Sequence, residues 1–229
     1  MIVLHQFTVS PFCDKVRRVL AVKGQPYETR DVAPSDTLFR LRRLNPAGKL
    51  PVLEHDGRVI ADSTAIVRYL EETFPEPPLL PGAPRDRALA RVLEDWADES
   101  LYFYEAWFRF GISTNAPEWT ERVLAPERPA LKPVARALIA PSVRLMAWIQ
   151  GTGRLSARRI RDAFREHVMD LAELLDDRAW LVGDALSVAD IAVAAQVSGV
   201  ASTPDGRRIL ATAPRTEAWL LRVNEATAG

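Results

Sequence analysis

The run Ile2-Val3-Leu4-His5-Gln6-Phe7-Thr8-Val9-Ser10-Pro11-Phe12-Cys13, continuing to Gly24, sets the reading of the whole chain. Its first residues are apolar and suit a buried strand; Thr8-Val9-Ser10-Pro11 then turns into a helix pattern. Pro11 fits the first helical position, where its fixed φ and missing N–H do no harm, and Ser10 before it is the N-cap. Val16, Val19, Leu20 and Lys23 follow at helical spacing, and Gly24 supplies the stop. The hydroxyl of Ser10 and the thiol of Cys13 therefore share the first turn of a helix that follows a strand. Unpaired backbone N–H groups and the helix dipole favour negative charge there. Such a corner is suited to holding a thiolate.

The chain has 229 residues, enough for one large domain or two modest ones. Thirty Lys and Arg balance thirty Asp and Glu, so no whole-chain field points to nucleic acid or an anionic membrane. A single cysteine excludes an internal disulfide framework and fits a reducing compartment. The N-terminus lacks a signal-peptide pattern, and no apolar run reaches membrane-spanning length. These bounds read soluble and cytoplasmic. His5, His55 and His167 have no metal-ligand spacing, so no metal is expected, and Gly151-Thr152-Gly153 is too short for a phosphate loop.

Past Gly24, residues 27–32 alternate weakly and read as a second strand. Ser35 is placed to cap a short basic helix through Leu38, Leu41 and Leu44, ending at Asn45-Pro46-Ala47-Gly48. Leu50-Pro51-Val52-Leu53 and Val59-Ile60 flank Asp56-Gly57, a strong hairpin signal. Asp62-Ser63 then opens an amphipathic helix through Ile66, Tyr69, Leu70 and Phe74. Five prolines between residues 75 and 84 mark a boundary, dividing the chain into domains 1–80 and 85–229. Beyond it the pattern is helical over residues 85–110, 134–149 and 215–224, with a proline-broken stretch at 117–133. Ser156 caps another segment reaching Leu175, with Ile160, Phe164, Val168, Leu171, Leu174 and Leu175 as its buried stripe. Ser187-Val188-Ala189-Asp190 opens one more with a capping-box variant, Ser187 and Asp190 being structural.

Four motifs, in this order, resemble those of the cytosolic glutathione transferases. They are Ser10-Pro11-Phe12-Cys13, Asn45-Pro46-Ala47-Gly48-Lys49-Leu50-Pro51-Val52-Leu53, Asp62-Ser63-Thr64-Ala65-Ile66 and Ser187-Val188-Ala189-Asp190-Ile191. The first resembles the serine-type classes, theta-, zeta- or delta-like. The resemblance implies an α/β thioredoxin-like N-terminal domain, an all-α C-terminal domain and a homodimer formed by the helix after Ser63 against residues 85–99. It implies glutathione as co-substrate, bound mainly by the first domain, with a small apolar electrophile lodged between the two. Some forty residues separate the first long helix from the Ser156 segment; with residues 151–156, this enlarged helical half faintly resembles a metaxin-like branch. Two other readings stay open: a thiol transferase or peroxidase using Cys13, and a non-catalytic glutathione- or partner-binding protein.

By the same resemblance Ser10 hydrogen-bonds the glutathione sulfur. A hydroxyl has one donor and two acceptor sites, so it can cap the helix and still donate to a thiolate. A thiol of pKa about 8.5 is roughly 3% ionised at pH 7, and lowering it by about two units raises that to about 75%. Nucleophilicity falls about tenfold over the same interval, so the net gain is only about two- to threefold. Holding the sulfur against the electrophile must supply most of the rate. Cys13 reads either as a reactive first-turn thiol or as a small buried apolar residue. Phe12, Lys49, Leu50 and Pro51 are implied to contact glutathione, with the Leu50-Pro51 bond cis and the Leu50 backbone free to pair with the cysteinyl part. Asp62 offers a negative charge, and Ser63 a hydroxyl at a helix N-terminus, to the ammonium and carboxylate of a γ-glutamyl group. Tyr104 and Trp107, in the aromatic cluster 102–110, are candidates for the wall of the electrophile pocket.

Overall fold

The computed structural model describes residues 1–38 and 40–228. The opening apolar run forms β1 (Ile2–Gln6), and the Ser-Pro corner leads into α1 (Pro11–Val22), closed by Gly24 at φ 60°. Then come β2 (Tyr27–Asp31), β3 (Val52–His55), β4 (Arg58–Ala61) and α2 (Ser63–Thr73). Among the described residues the sheet has four strands in the order β2-β1-β3-β4. β1 is parallel to β2 and antiparallel to β3, and β3 turns back as β4. Asp56 and Gly57 both take positive φ at that hairpin, the backbone a tight two-residue turn needs. Leu4, Val16, Leu20, Leu53, Ile66 and Leu70 are fully buried, so the sheet and its two helices share one core. The expected thioredoxin-like domain with its small mixed sheet is present.

The register decides where the chemistry sits. His5 pairs with Val52, and Val52 with Ala61. The end of β1, the start of β3 and the end of β4 therefore lie at one end of the sheet. Leu50-Pro51 directly precede β3 and Asp62-Ser63 directly follow β4, while Ser10 follows β1 after the turn 7–9.

The short basic helix expected after Ser35 does not form. Two 3-10 segments, Pro34–Leu38 and Leu41–Arg43, replace it. Its intended cap is occupied, because the Glu127 carboxylate accepts both the amide and the hydroxyl of Ser35 at 2.8 and 2.9 Å.

The chain parts into two compact units. The first holds Met1–Pro78, Glu118–Ile139 and the C-terminal residues from Thr227; the second holds Leu79–Pro117 and Ala140–Ala226. Helices dominate beyond Pro78. A long helix starts as α3 (Pro84–Trp96), passes through a π segment (Ala97–Leu101) into α4 (Tyr102–Ala106), and ends in a second π segment (Trp107–Gly111). There follow α5 (Ala116–Val123), α6 (Lys132–Gln150), α7 (Ala157–Leu174), α8 (Val188–Ala201), α9 (Pro204–Leu210) and α10 (Pro214–Ala226). Two were not expected from the pattern. α5 tolerates Pro117 in its first turn, and α9 opens on Pro204 with the Thr203 hydroxyl accepting from the Gly206 amide at 3.2 Å.

Within the second unit α8 is the axis, buried on nearly every side and packed by α3, α4, α9 and α10. Its N-terminus is fixed by Asp190. That carboxylate accepts the amides of Leu181 and Ser187, the Ser187 hydroxyl and the Trp219 indole N–H, all at 2.8–3.0 Å. α7 buries Ile160, Phe164, Val168 and Leu171 as expected, and Leu175 after it, whereas Leu174 is exposed because the buried stripe steps from Leu171 to Leu175. Among the described residues no helix is long and apolar enough to cross a membrane.

Candidate active site

Ser10 stands between β1 and α1 with an extended backbone, its amide bonded to the Phe7 carbonyl at 3.0 Å. Its hydroxyl oxygen accepts the Cys13 amide at 3.4 Å, so it caps the helix as the sequence requires. The loop before it is held from α1. Arg17 donates to the Thr8 carbonyl at 3.1 Å and to the Gln6 side chain at 2.6 Å, and it pairs with Asp14 at 3.0 Å. Gln6 and Thr8 both donate to Asp31 at the end of β2. Arg17 thus ties the turn carrying Ser10 to β1, and Gln6 and Thr8 carry the link on to β2, a role that spacing alone does not announce.

Cys13 faces the core and is fully buried. Burial pushes its thiol up to about 11, against the opposing effects of the Ser10 side chain, the Phe7 backbone and Arg17. Phe12, on the same first turn, is only partly buried.

The second element is the loop before β3. Buried Asn45 accepts the Ala47 amide at 3.1 Å and donates to the Lys49 carbonyl at 2.8 Å, cinching residues 45–49. Gly48 takes φ 64°, and a Cβ there would meet the Thr37 carbonyl at 3.0 Å, so the turn closes only with glycine. The Leu50-Pro51 bond is cis and Pro51 is buried, while the Lys49 side chain is exposed. Among the described residues neither backbone group of Leu50 has a hydrogen-bond partner. Asn45 is the organiser here, and its place ahead of Pro-Ala-Gly was the available signal.

The third element is the start of α2. Asp62, not Ser63, is the cap: its carboxylate accepts the Ala65 amide at 3.0 Å and its carbonyl the Ile66 amide at 2.9 Å. It does so at φ 81° and ψ 131°, a backbone that a non-glycine residue rarely adopts and that costs about 1–3 kcal/mol. Such strain is retained where the surroundings impose it, commonly at ligand sites. Ser63 is buried in the first helical position, and among the described residues its hydroxyl has no hydrogen-bond partner. Next to it, the buried Lys15 of α1 donates to the Thr64 hydroxyl at 3.2 Å and ties the two helix starts together.

At one end of the sheet the first unit therefore presents a capping hydroxyl, a free backbone segment, an exposed cation, an exposed carboxylate and a spare hydroxyl. Opposed charges beside backbone hydrogen-bonding groups match a short zwitterionic peptide. Tyr104 and Trp107 lie in the second unit and turn different ways. Tyr104 is half buried, its ring edge-on to His167 at 5.2 Å and near Phe164, and burial raises its phenol above the ordinary range. Trp107 packs on Phe108 and lines a cleft against α6.

Comparison with known proteins gives matches in both halves. The family model "Glutathione S-transferase, N-terminal domain" matches residues 4–78, and "Glutathione S-transferase, C-terminal domain" matches residues 117–222. FtsZ-localized protein A of Caulobacter vibrioides is 32% identical, the match covering 85% of this chain and 75% of that protein. A probable maleylacetoacetate isomerase of Caenorhabditis elegans is 43% identical over 40% of this chain, and the match spans less than half, 44%, of that relative's length. Among solved structures, a glutathione S-transferase of Methylobacterium radiotolerans in complex with glutathione sulfonate is 28% identical. That match covers 97% of this chain and 90% of the other with a TM-score of 0.66.

Proposed function

Because the chain belongs to the glutathione S-transferase family, we propose that it is a serine-type transferase adding the glutathione thiolate to a small apolar electrophile. Ser10 donates to the sulfur. The Leu50 backbone takes the cysteinyl unit, and Pro51 and Phe12 flank it. Asp62 receives the γ-glutamyl ammonium and Ser63 its carboxylate, and Lys49 pairs with the glycyl carboxylate. In the reaction the thiol proton leaves to water, the carbon–sulfur bond forms, and the electrophile's leaving group departs with its electron pair. Of the two aromatic candidates Tyr104 is assigned to the electrophile, since Trp107 turns to the α6 cleft.

The observation that carries this reading is the register that gathers Ser10, Leu50 and Asp62-Ser63 at one end of the sheet, with Ser63 unemployed in the cap. A solved relative holding glutathione sulfonate supports the ligand. The buried, protonated thiol of Cys13 speaks against a cysteine-dependent exchange. We assign a homodimer to α2 of one copy against residues 85–99 of the other, where Leu89 and Val92 of α3 are exposed. Calorimetry with glutathione followed by assay with a chlorinated dinitrobenzene, a hydroperoxide and a mixed disulfide tests the reading. Conjugation of the first substrate alone upholds it, and absence of glutathione binding rejects it. Binding without turnover would select the non-catalytic glutathione- or partner-binding reading.

A further inference from the structure

We infer that the cleft between the second π segment and α6 is a docking site for an acidic, amphipathic peptide segment of a partner protein. Four independent features of the second unit meet there. The first is shape: a cleft of about 380 Å³ runs between Trp107 and Gly111 on one side and Leu145 and Trp148 on the other, with Gly153 at its end. The second is construction. A Cβ on Gly111 would strike the Trp107 ring at 2.6 Å, and one on Gly153 would strike the Trp148 backbone at 2.7 Å. Glycine at both places is what lets the indole lie flat and lets the chain close on α6. The Phe110 carbonyl, in the π segment, accepts Arg144 Nε at 2.8 Å, fixing that arginine at the rim.

The third feature is apolar exposure. Leu145, Trp148 and Ile149 fall at i, i+3 and i+4 on one face of α6 and remain 57, 53 and 63% exposed. Exposed clusters of this kind mark interaction sites, and Trp and Arg are the side chains that carry binding energy at them. The fourth is charge. Within this unit, residues 140–161 contain five Arg and no Asp or Glu. Arg154 lies over the Trp148 ring at 4.6 Å and donates to the Trp148 carbonyl at 2.8 Å, so a second guanidinium is held beside the cleft. Among the described residues neither Arg144 nor Arg154 makes an ion pair. Two fixed, uncompensated cations bracketing an indole call for carboxylates on either side of an apolar side chain. A concave cleft favours a side chain over a bilayer, whose flat surface would leave it empty.

Fluorescence anisotropy tests this with labelled twelve-residue peptides. One set carries Leu, Phe or Trp at the centre of a run of Glu, and a matched set has Gln for every Glu. The acidic set is expected to bind at least about tenfold more tightly, the margin of one good hot spot, with the preference fading as salt rises. Trp148→Ala, and separately Arg144→Glu with Arg154→Glu, should erase the preference while glutathione conjugation and melting temperature stay at the wild-type values. Equal binding of the two sets, no binding of either, or a preference that survives both variants overturns the proposal. So does binding to phosphatidylglycerol vesicles without binding to the acidic peptides.

Discussion

The Ser10 hydroxyl oxygen receives the Cys13 amide at 3.4 Å, and the same side chain also hydrogen-bonds the buried Cys13 thiol, so the cap uses an acceptor site while the O–H remains a donor to sulfur. Capping and thiolate binding therefore use different parts of one side chain. Ser10→Ala is expected to cost the fold no more than about 1 kcal/mol. It should lower conjugation at least about tenfold while glutathione still binds. Thermal melts, calorimetry and initial rates on the same preparation separate these effects; near-normal turnover would remove Ser10 from the mechanism.

Asp62→Asn isolates the charge at the γ-glutamyl position, because asparagine keeps a capping oxygen and tolerates positive φ. Losing an ionised partner of an ammonium costs about 1.5–3 kcal/mol, so the glutathione Kd should rise roughly ten- to a hundredfold. The melting temperature should hardly move. An unchanged Kd would show that the ammonium is held elsewhere.

Asn45→Ala unties the loop without touching any group assigned to glutathione. Two hydrogen bonds go, to the Lys49 carbonyl and from the Ala47 amide, at a cost of about 1–3 kcal/mol. Weaker glutathione binding accompanied by faster amide exchange at residues 46–50 is the expected pair of results. A stability loss with binding intact would confine Asn45 to the fold.

With its thiol near 11, Cys13 carries roughly 0.03% thiolate at pH 7.4. Ellman's reagent should leave the native protein unmodified and titrate one thiol once denaturant is added. Rapid modification of the folded chain would revive the cysteine-dependent alternative.

His167 supplies the pH prediction. Burial lowers its folded-state pKa, partly opposed by Asp170 and Glu166. The unfolded chain then binds the proton more readily, so this group's contribution is complete above about pH 6.5 and is lost as pH falls below that value. The denaturation midpoint of wild type should therefore drop further between pH 7.5 and 5 than that of His167→Phe, measured by urea titration at each pH.

Much of the first unit was legible because its signals are local. Ser10-Pro11 sets a helix start, Asp56-Gly57 sets a hairpin, and the apolar runs on either side set the strands. The pair Asp62-Ser63 marks the start of α2 but does not say which residue caps it, since Asp and Ser cap equally well and only the backbone at φ 81° distinguishes them. Ser35 failed as a helix start for a reason 92 residues away, where Glu127 takes its hydroxyl. Asn45 and Arg17 escaped notice because their work is to hold backbone carbonyls, which leaves no periodic trace. In the aromatic cluster the two π segments shift the helix phase, so regular spacing could not say that Phe108 and Phe110 would be buried while Tyr104 and Trp107 part company.

The helix Val188–Ala201 touches water almost nowhere along its length. A saturation mutagenesis map should therefore show it as an unbroken block of intolerance, with none of the three-to-four-residue beat by which surface helices betray their orientation. Variation among descendants of this chain would accumulate around that block and leave it as the slowest-changing part of the helical half.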